Sequence, residues 1–124
     1  YNLISYKVMT HSLSSLYLEP KSPTFHYTNL NGEAKMERKL GDVLELFCQP
    51  SAIPKAKVEW FKDGALVSNN ESNILLQEDD SKLFIAFIKP EDEGNYKCVI
   101  SNRLGKEEGS VHVKISGKYY QQKY

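Results

Sequence analysis

Net charge is the first thing this chain lacks. Sixteen basic residues cancel sixteen acidic ones over 124 positions, so there is no electrostatic footprint for nucleic acid or for an anionic membrane surface. A long apolar run is missing too, since no stretch approaches the roughly 18–20 residues that cross a bilayer. No signal peptide is visible, and the chain opens at Tyr1 without a methionine. The expectation is a piece of a longer protein, with any leader or membrane span outside it. Catalytic motifs are also missing. Ser, His and Asp occur without a nucleophile motif around them, and there is no phosphate-cradling glycine loop. His11, His26 and His112 are scattered, none with a partner at metal-ligand spacing, and read as surface histidines. The run Glu78-Asp79-Asp80 lacks the regular ligand spacing of a calcium loop and reads as a solvated turn. Neither a metal nor a cofactor is expected, and the chain does not read as an enzyme. Cysteine is scarce: two residues allow one intrachain pairing.

What is present is ordinary globular protein, 40% apolar and 26% charged. The length suits one domain with chain to spare. The core pattern has period two. Leu44, Leu46 and Cys48 share one strand face, with Val43, Glu45 and Phe47 on the other. Val58 and Trp60 point inward, Glu59 and Phe61 outward. Asp63-Gly64 is a turn signal between strands. Ser68 to Glu71 reads as a polar loop, Ile74 to Leu76 as a short strand, and Glu78 to Ser81 as a further turn. Leu83, Ile85 and Ile88 face the core. Pro90 to Gly94 forms a corner, after which Tyr96, Cys98 and Ile100 point inward. Asn102 to Gly105 is a hairpin loop, and Val111, Val113 and Ile115 complete the core. Turn signals about every 8–12 residues favour an all-β sandwich over helices.

Cys48, Trp60 and the run Asp92-Glu93-Gly94-Asn95-Tyr96-Lys97-Cys98 stand at a specific spacing. With Gly41-Asp42, Val58 to Gly64, Leu83, Ile85, Asn102 and Gly105, they make residues 22–117 resemble an I-set immunoglobulin domain. The resemblance implies an immunoglobulin-like sandwich of two antiparallel sheets, a binding scaffold and not a catalyst. It also implies a Cys48–Cys98 bridge between the sheets with Trp60 packed on it. Tyr96 would be buried, its hydroxyl bonded to backbone near Pro90 to Asp92. Asp92 would accept backbone hydrogen bonds before Gly94. Such a bridge stabilises by roughly 4 kcal/mol on the chain-entropy account. A persistent bridge implies an oxidising compartment, whereas immunoglobulin domains of muscle keep the same cysteines reduced.

A closer resemblance runs through Ile74-Leu75, Ser81 to Ile85, Glu91 to Gly94, Asn102 to Gly105 and Val113 to Gly117. These resemble, in order, the membrane-proximal immunoglobulin domain of vascular endothelial growth factor receptors; platelet-derived growth factor receptors share part of the pattern. The resemblance implies an extracellular interaction and spacer domain of a receptor tyrosine kinase at the cell surface, supporting lateral association. The alternatives are an intracellular structural domain of a sarcomeric protein and a cell-adhesion domain. One departure stands out. These receptors carry a basic residue five positions before the motif aspartate, and the pair supports contacts between two copies. Here the aspartate is Asp92 but the matching residue is Phe87, so that salt bridge cannot form.

Residues 1–21 fall outside the motif. They read as an extension packed on the domain, or as the last hairpin of a preceding domain with Pro20 to Pro23 as linker. Residues 118–124 read as a flexible tail. Asn70-Glu71-Ser72 is a glycosylation acceptor in a polar loop. Phe47 and Phe84 fall on outward parity of strands that neighbour each other in an immunoglobulin sandwich, with Val43 and Ala86 on the same face and Phe87 close by. Polar residues normally hold such positions, so this is a candidate contact patch. Its cover is the segment Leu3 to Leu18, a neighbouring domain or a second copy of the chain, with the chain's own segment favoured. The alternative is half-exposed rings packed on lysine stems. The partner expected is therefore protein.

Overall fold

The alternating pattern becomes strands with one buried and one wet face. The computed structural model describes residues 18–32, 35–69 and 73–117. Among them are nine strands: β1 (Lys21–Thr28), β2 (Lys35–Lys39), β3 (Leu44–Ile53), β4 (Lys57–Lys62), β5 (Ala65–Leu66), β6 (Ile74–Gln77), β7 (Lys82–Ile85), β8 (Gly94–Asn102) and β9 (Gly105–Ser116). They form two sheets, in the order β1-β3-β7-β6 and β2-β9-β8-β4-β5. In β3, Leu44, Leu46 and Cys48 are buried while Glu45 and Phe47 are half-exposed. In β8, Gly94, Tyr96, Cys98 and Ile100 are buried. Register pairs Leu44 with Ile85 and Leu46 with Leu83 in one sheet, and Val58 with Ile100 and Trp60 with Cys98 in the other. A slip of one residue would turn each of these outward. Leu44, Leu46, Leu83, Ile85, Ile100 and Val113 are fully buried, each contributing about 1.5–3 kcal/mol.

Two features depart from the sequence reading. Pro23 is not linker: it is fully buried within β1. Because β1 is an edge strand, the missing proline N–H costs no ladder bond. The second sheet is also not wholly antiparallel, since β2 lies parallel to β9. After β1 the chain steps across to the other sheet, with Leu30 buried at the crossing and Gly32 N–H donating to the Ser110 carbonyl at 2.7 Å.

Turns set the ends. Asp63 and Gly64 have φ of 50° and 86°, the left-handed pair suited to a tight hairpin. The Asp63 carboxylate then accepts the Asn95 N–H at 2.9 Å. A Cβ at Gly94 would lie 2.7 Å from that carboxylate, so any larger residue would push Asp63 away from its bond to Asn95. At the other end of the sandwich, Glu78, Asp79 and Asp80 have φ of 56°, 57° and 66°. That is three successive left-handed residues without a glycine.

Candidate functional site

Cys48 and Cys98 join the sheets, with Cα atoms 6.6 Å apart. Trp60 is the cross-strand partner of Cys98 and lies fully buried in the same apolar cluster. Its indole N–H donates to the Asp80 carbonyl at 2.6 Å. Tyr96 is fully buried, and its hydroxyl donates to the Asp92 carbonyl at 2.6 Å. Burial, then the charges of Asp92 and Asp63, push the Tyr96 phenol well above its ordinary range.

Asp92 closes a single 3-10 turn, Pro90–Asp92, and is only 6% exposed. Its carboxylate accepts the Lys89 N–H at 2.8 Å and the Asn73 side-chain amide at 3.2 Å. The corner carboxylate thus faces inward. Phe87, five positions earlier, is 72% exposed and offers an apolar ring where the resembled receptors carry charge. Nearby, the Glu93 carboxylate accepts the Ile115 N–H at 2.8 Å. That bond, with help from Lys114 and His112, holds its pKa below the ordinary carboxylate value against the opposing effect of burial.

The outer face of the four-stranded sheet carries an apolar band across all four strands. Tyr27 on β1 meets Phe47 on β3, ring centroids 5.5 Å apart. On β7 the Lys82 ammonium sits 5.5 Å from the centroids of both Phe47 and Phe84. It also pairs with Glu45 at 3.0 Å. Phe84 stands opposite Leu75 of β6. Phe47 and Phe84 are therefore half-buried against a lysine, in line with the alternative of rings packed on lysine stems. The band nonetheless continues into exposed side chains: Tyr27 is 48%, Leu75 40% and Val43 47% exposed. Tyr27 and Leu75 extend the band beyond the residues named from the sequence. Leu75 is visible as an outward residue of a short strand; Tyr27 gives no signal unless β1 is recognised as a strand.

Asn70 and the segment 3–17 lie outside the described residues, as does His11. Among the described residues no group of three His, Cys, Asp or Glu side chains is placed to hold a metal. Asp79 pairs with Lys55 at 3.0 Å, and the His112 ring bonds the Asn95 side chain at 2.8 Å.

A bridged two-sheet sandwich, pinned by a tryptophan and a corner tyrosine and carrying its distinctive surface on a sheet face, is an immunoglobulin-type domain. The immunoglobulin I-set domain family matches residues 30–115, and the chain belongs to that family. Over 80 residues it is 34% identical to neural cell adhesion molecule 1 of Bos taurus, covering 64% of this chain and 9% of that protein. Over 72 residues it is 38% identical to vascular endothelial growth factor receptor 1 of Gallus gallus, covering 58% of this chain and 5% of that protein. Among solved structures it resembles titin domains Z1Z2 in complex with telethonin, with a TM-score of 0.71 at 24% identity. That match covers 81% of this chain and 49% of the other; at this identity the likeness is one of fold. The chain thus spans less than a tenth of the two relatives' lengths. The family is one of non-catalytic adhesion and structural domains. Among the described residues no helix is long and apolar enough to cross a membrane.

Proposed function

We propose that this domain is a non-catalytic interaction and spacer module on the extracellular side of a cell-surface receptor, and that it associates laterally through the outer face of its four-stranded sheet. The observation that carries the reading is the band Tyr27–Phe47–Phe84–Leu75, since apolar side chains in a row on a sheet's wet face are what a protein partner covers. The likeness to vascular endothelial growth factor receptor 1 supports it. Cys48 and Cys98 stand within bridging reach, Cα atoms 6.6 Å apart, and a bridge there would be kept in oxidising surroundings. The partner is protein; between a neighbouring immunoglobulin domain and a second copy of the chain, lateral association favours the second copy. Residues 22–117 form the module, with 1–21 leading into it and 118–124 leading out.

The same sandwich serves titin, so compartment is the deciding test. Intact mass of the protein from its native source, with and without reductant, reads the state of Cys48 and Cys98. A bridged pair with a glycan on Asn70 supports the receptor reading. Two free thiols and a bare Asn70 overturn it in favour of an intracellular mechanical link.

A further inference from the structure

After β1 the chain crosses between the sheets through Leu30-Asn31-Gly32, and this crossing is clamped on β9. Leu30 is only 3% exposed, and its carbonyl lies so close to Gly109 that a Cβ there would stand 3.2 Å from it. Two residues further on, the Gly32 N–H donates to the Ser110 carbonyl at 2.7 Å. Between these ties Asn31 is exposed, and so is Gly32. Asn31 is the only asparagine of the chain that a glycine follows.

That pair carries its own chemistry. The Gly32 nitrogen is placed by sequence to attack Cγ of the Asn31 side chain, and with no Cβ on glycine little crowds the approach. The nitrogen gives up its proton and bonds to Cγ. The bond from Cγ to the side-chain nitrogen breaks, and ammonia leaves with a proton. A five-membered succinimide remains. Water opens it at Cγ to give aspartate, or at the Asn31 backbone carbonyl to give isoaspartate, whose main chain runs through the former side chain. One water is consumed and one ammonia released, so the step needs no oxidant or cofactor. The fold opposes its beginning. While the Gly32 N–H is held on Ser110 the nitrogen keeps its proton, and the close contact at Gly109 keeps the crossing from turning.

We infer that Asn31 is a self-modification site of this domain and that the clamp on β9 sets how fast it converts. Reaction runs through the fraction of molecules in which local opening has lifted the crossing off β9. Isoaspartate adds a carbon to the backbone and a free carboxylate, so the crossing no longer fits against Gly109 and Ser110. The next element, β2, pairs with β9 from Lys35 and His112 onward and loosens in turn. This goes beyond the receptor reading and is independent of compartment and partner, so either can fail alone.

The test ages the full chain at mildly alkaline pH, with and without urea, and reads conversion at each asparagine by peptide mapping. In urea Asn31 should convert faster than any other asparagine. In the native chain its conversion should be about tenfold slower or more, since only the opened crossing reacts. Gly109→Ala, which displaces the Leu30 carbonyl, should speed native conversion several-fold while leaving the Asn31-Gly32 pair intact. Protein carrying isoaspartate should show faster amide exchange in β2 and a lower melting temperature, with exchange in β3 and β7 unchanged. Faster conversion of another asparagine in urea overturns the site. Equal rates in the native chain and in urea, or a Gly109→Ala chain that converts at the parent's rate, overturn the clamp.

Discussion

Trp60 and Asp80 are tied across the top of the sandwich, indole N–H to backbone carbonyl, at 2.6 Å. One side chain thereby does two jobs: its ring fills the core beside Cys98, and its edge holds a turn that the backbone alone disfavours. The turn has further ties, from Ser81 N–H and Ser81 hydroxyl to the Glu78 carbonyl at 3.0 and 2.7 Å. Left-handed residues other than glycine survive only where the surroundings over-determine them.

Trp60→Ala removes both contributions. It should cost about 3–5 kcal/mol, enough to unfold many domains of this size. Urea unfolding measures the loss, and a variant melting within a few degrees of the parent would contradict the assigned role.

Glu78→Gly should act in the opposite direction. A left-handed conformation costs a non-glycine residue roughly 1–2 kcal/mol, whereas glycine costs about 0.5–1 kcal/mol in unfolded-chain entropy. A net gain of about 0.5 kcal/mol in urea unfolding is expected from that difference. A clear loss would mean that the Glu78 side chain holds the turn.

Tyr96→Phe should lose about 1 kcal/mol through the bond to the Asp92 carbonyl. It should also change the alkaline limb of stability. The phenol's pKa is raised in the folded state, so its contribution is complete below the unfolded value near pH 10. That contribution is lost as pH rises from there toward the folded value. Stability of the parent should therefore fall above about pH 10, and the slope should flatten in Tyr96→Phe. Parallel profiles for the two proteins would contradict the burial.

The central pin is legible in the chain because period-two parity alone puts Leu46, Cys48, Val58, Trp60, Tyr96 and Cys98 on inner faces. The first two strands are not legible in this way. Two prolines, Pro20 just before β1 and Pro23 within it, mimic a linker, and only the strand's place at a sheet edge makes Pro23 acceptable. In β2 the run Lys35-Met36-Glu37-Arg38-Lys39 alternates in burial, but one apolar residue among four charged ones is too little pattern to mark a strand, and its partner is parallel and distant in the chain, as in Met36 beside Val113. The outward parity of Phe47 and Phe84 is legible. That Lys82 lies between them depends on the β3–β7 register, in which Phe47 faces Lys82, and no local pattern encodes that register. The side-chain amide of Asn29 donates to the Glu45 carbonyl and accepts the Phe47 N–H, both at 2.9 Å. Such a substitute for strand pairing leaves no periodic trace.

Association of two copies through the outer face is read directly by sedimentation equilibrium of the full chain. The average mass of the parent should rise with concentration. Phe84→Glu combined with Leu75→Lys should remain a monomer throughout, with a cooperative thermal melt and an intact Cys48–Cys98 bridge. A parent that stays monomeric at the highest concentrations, or a double variant that associates as the parent does, would contradict it.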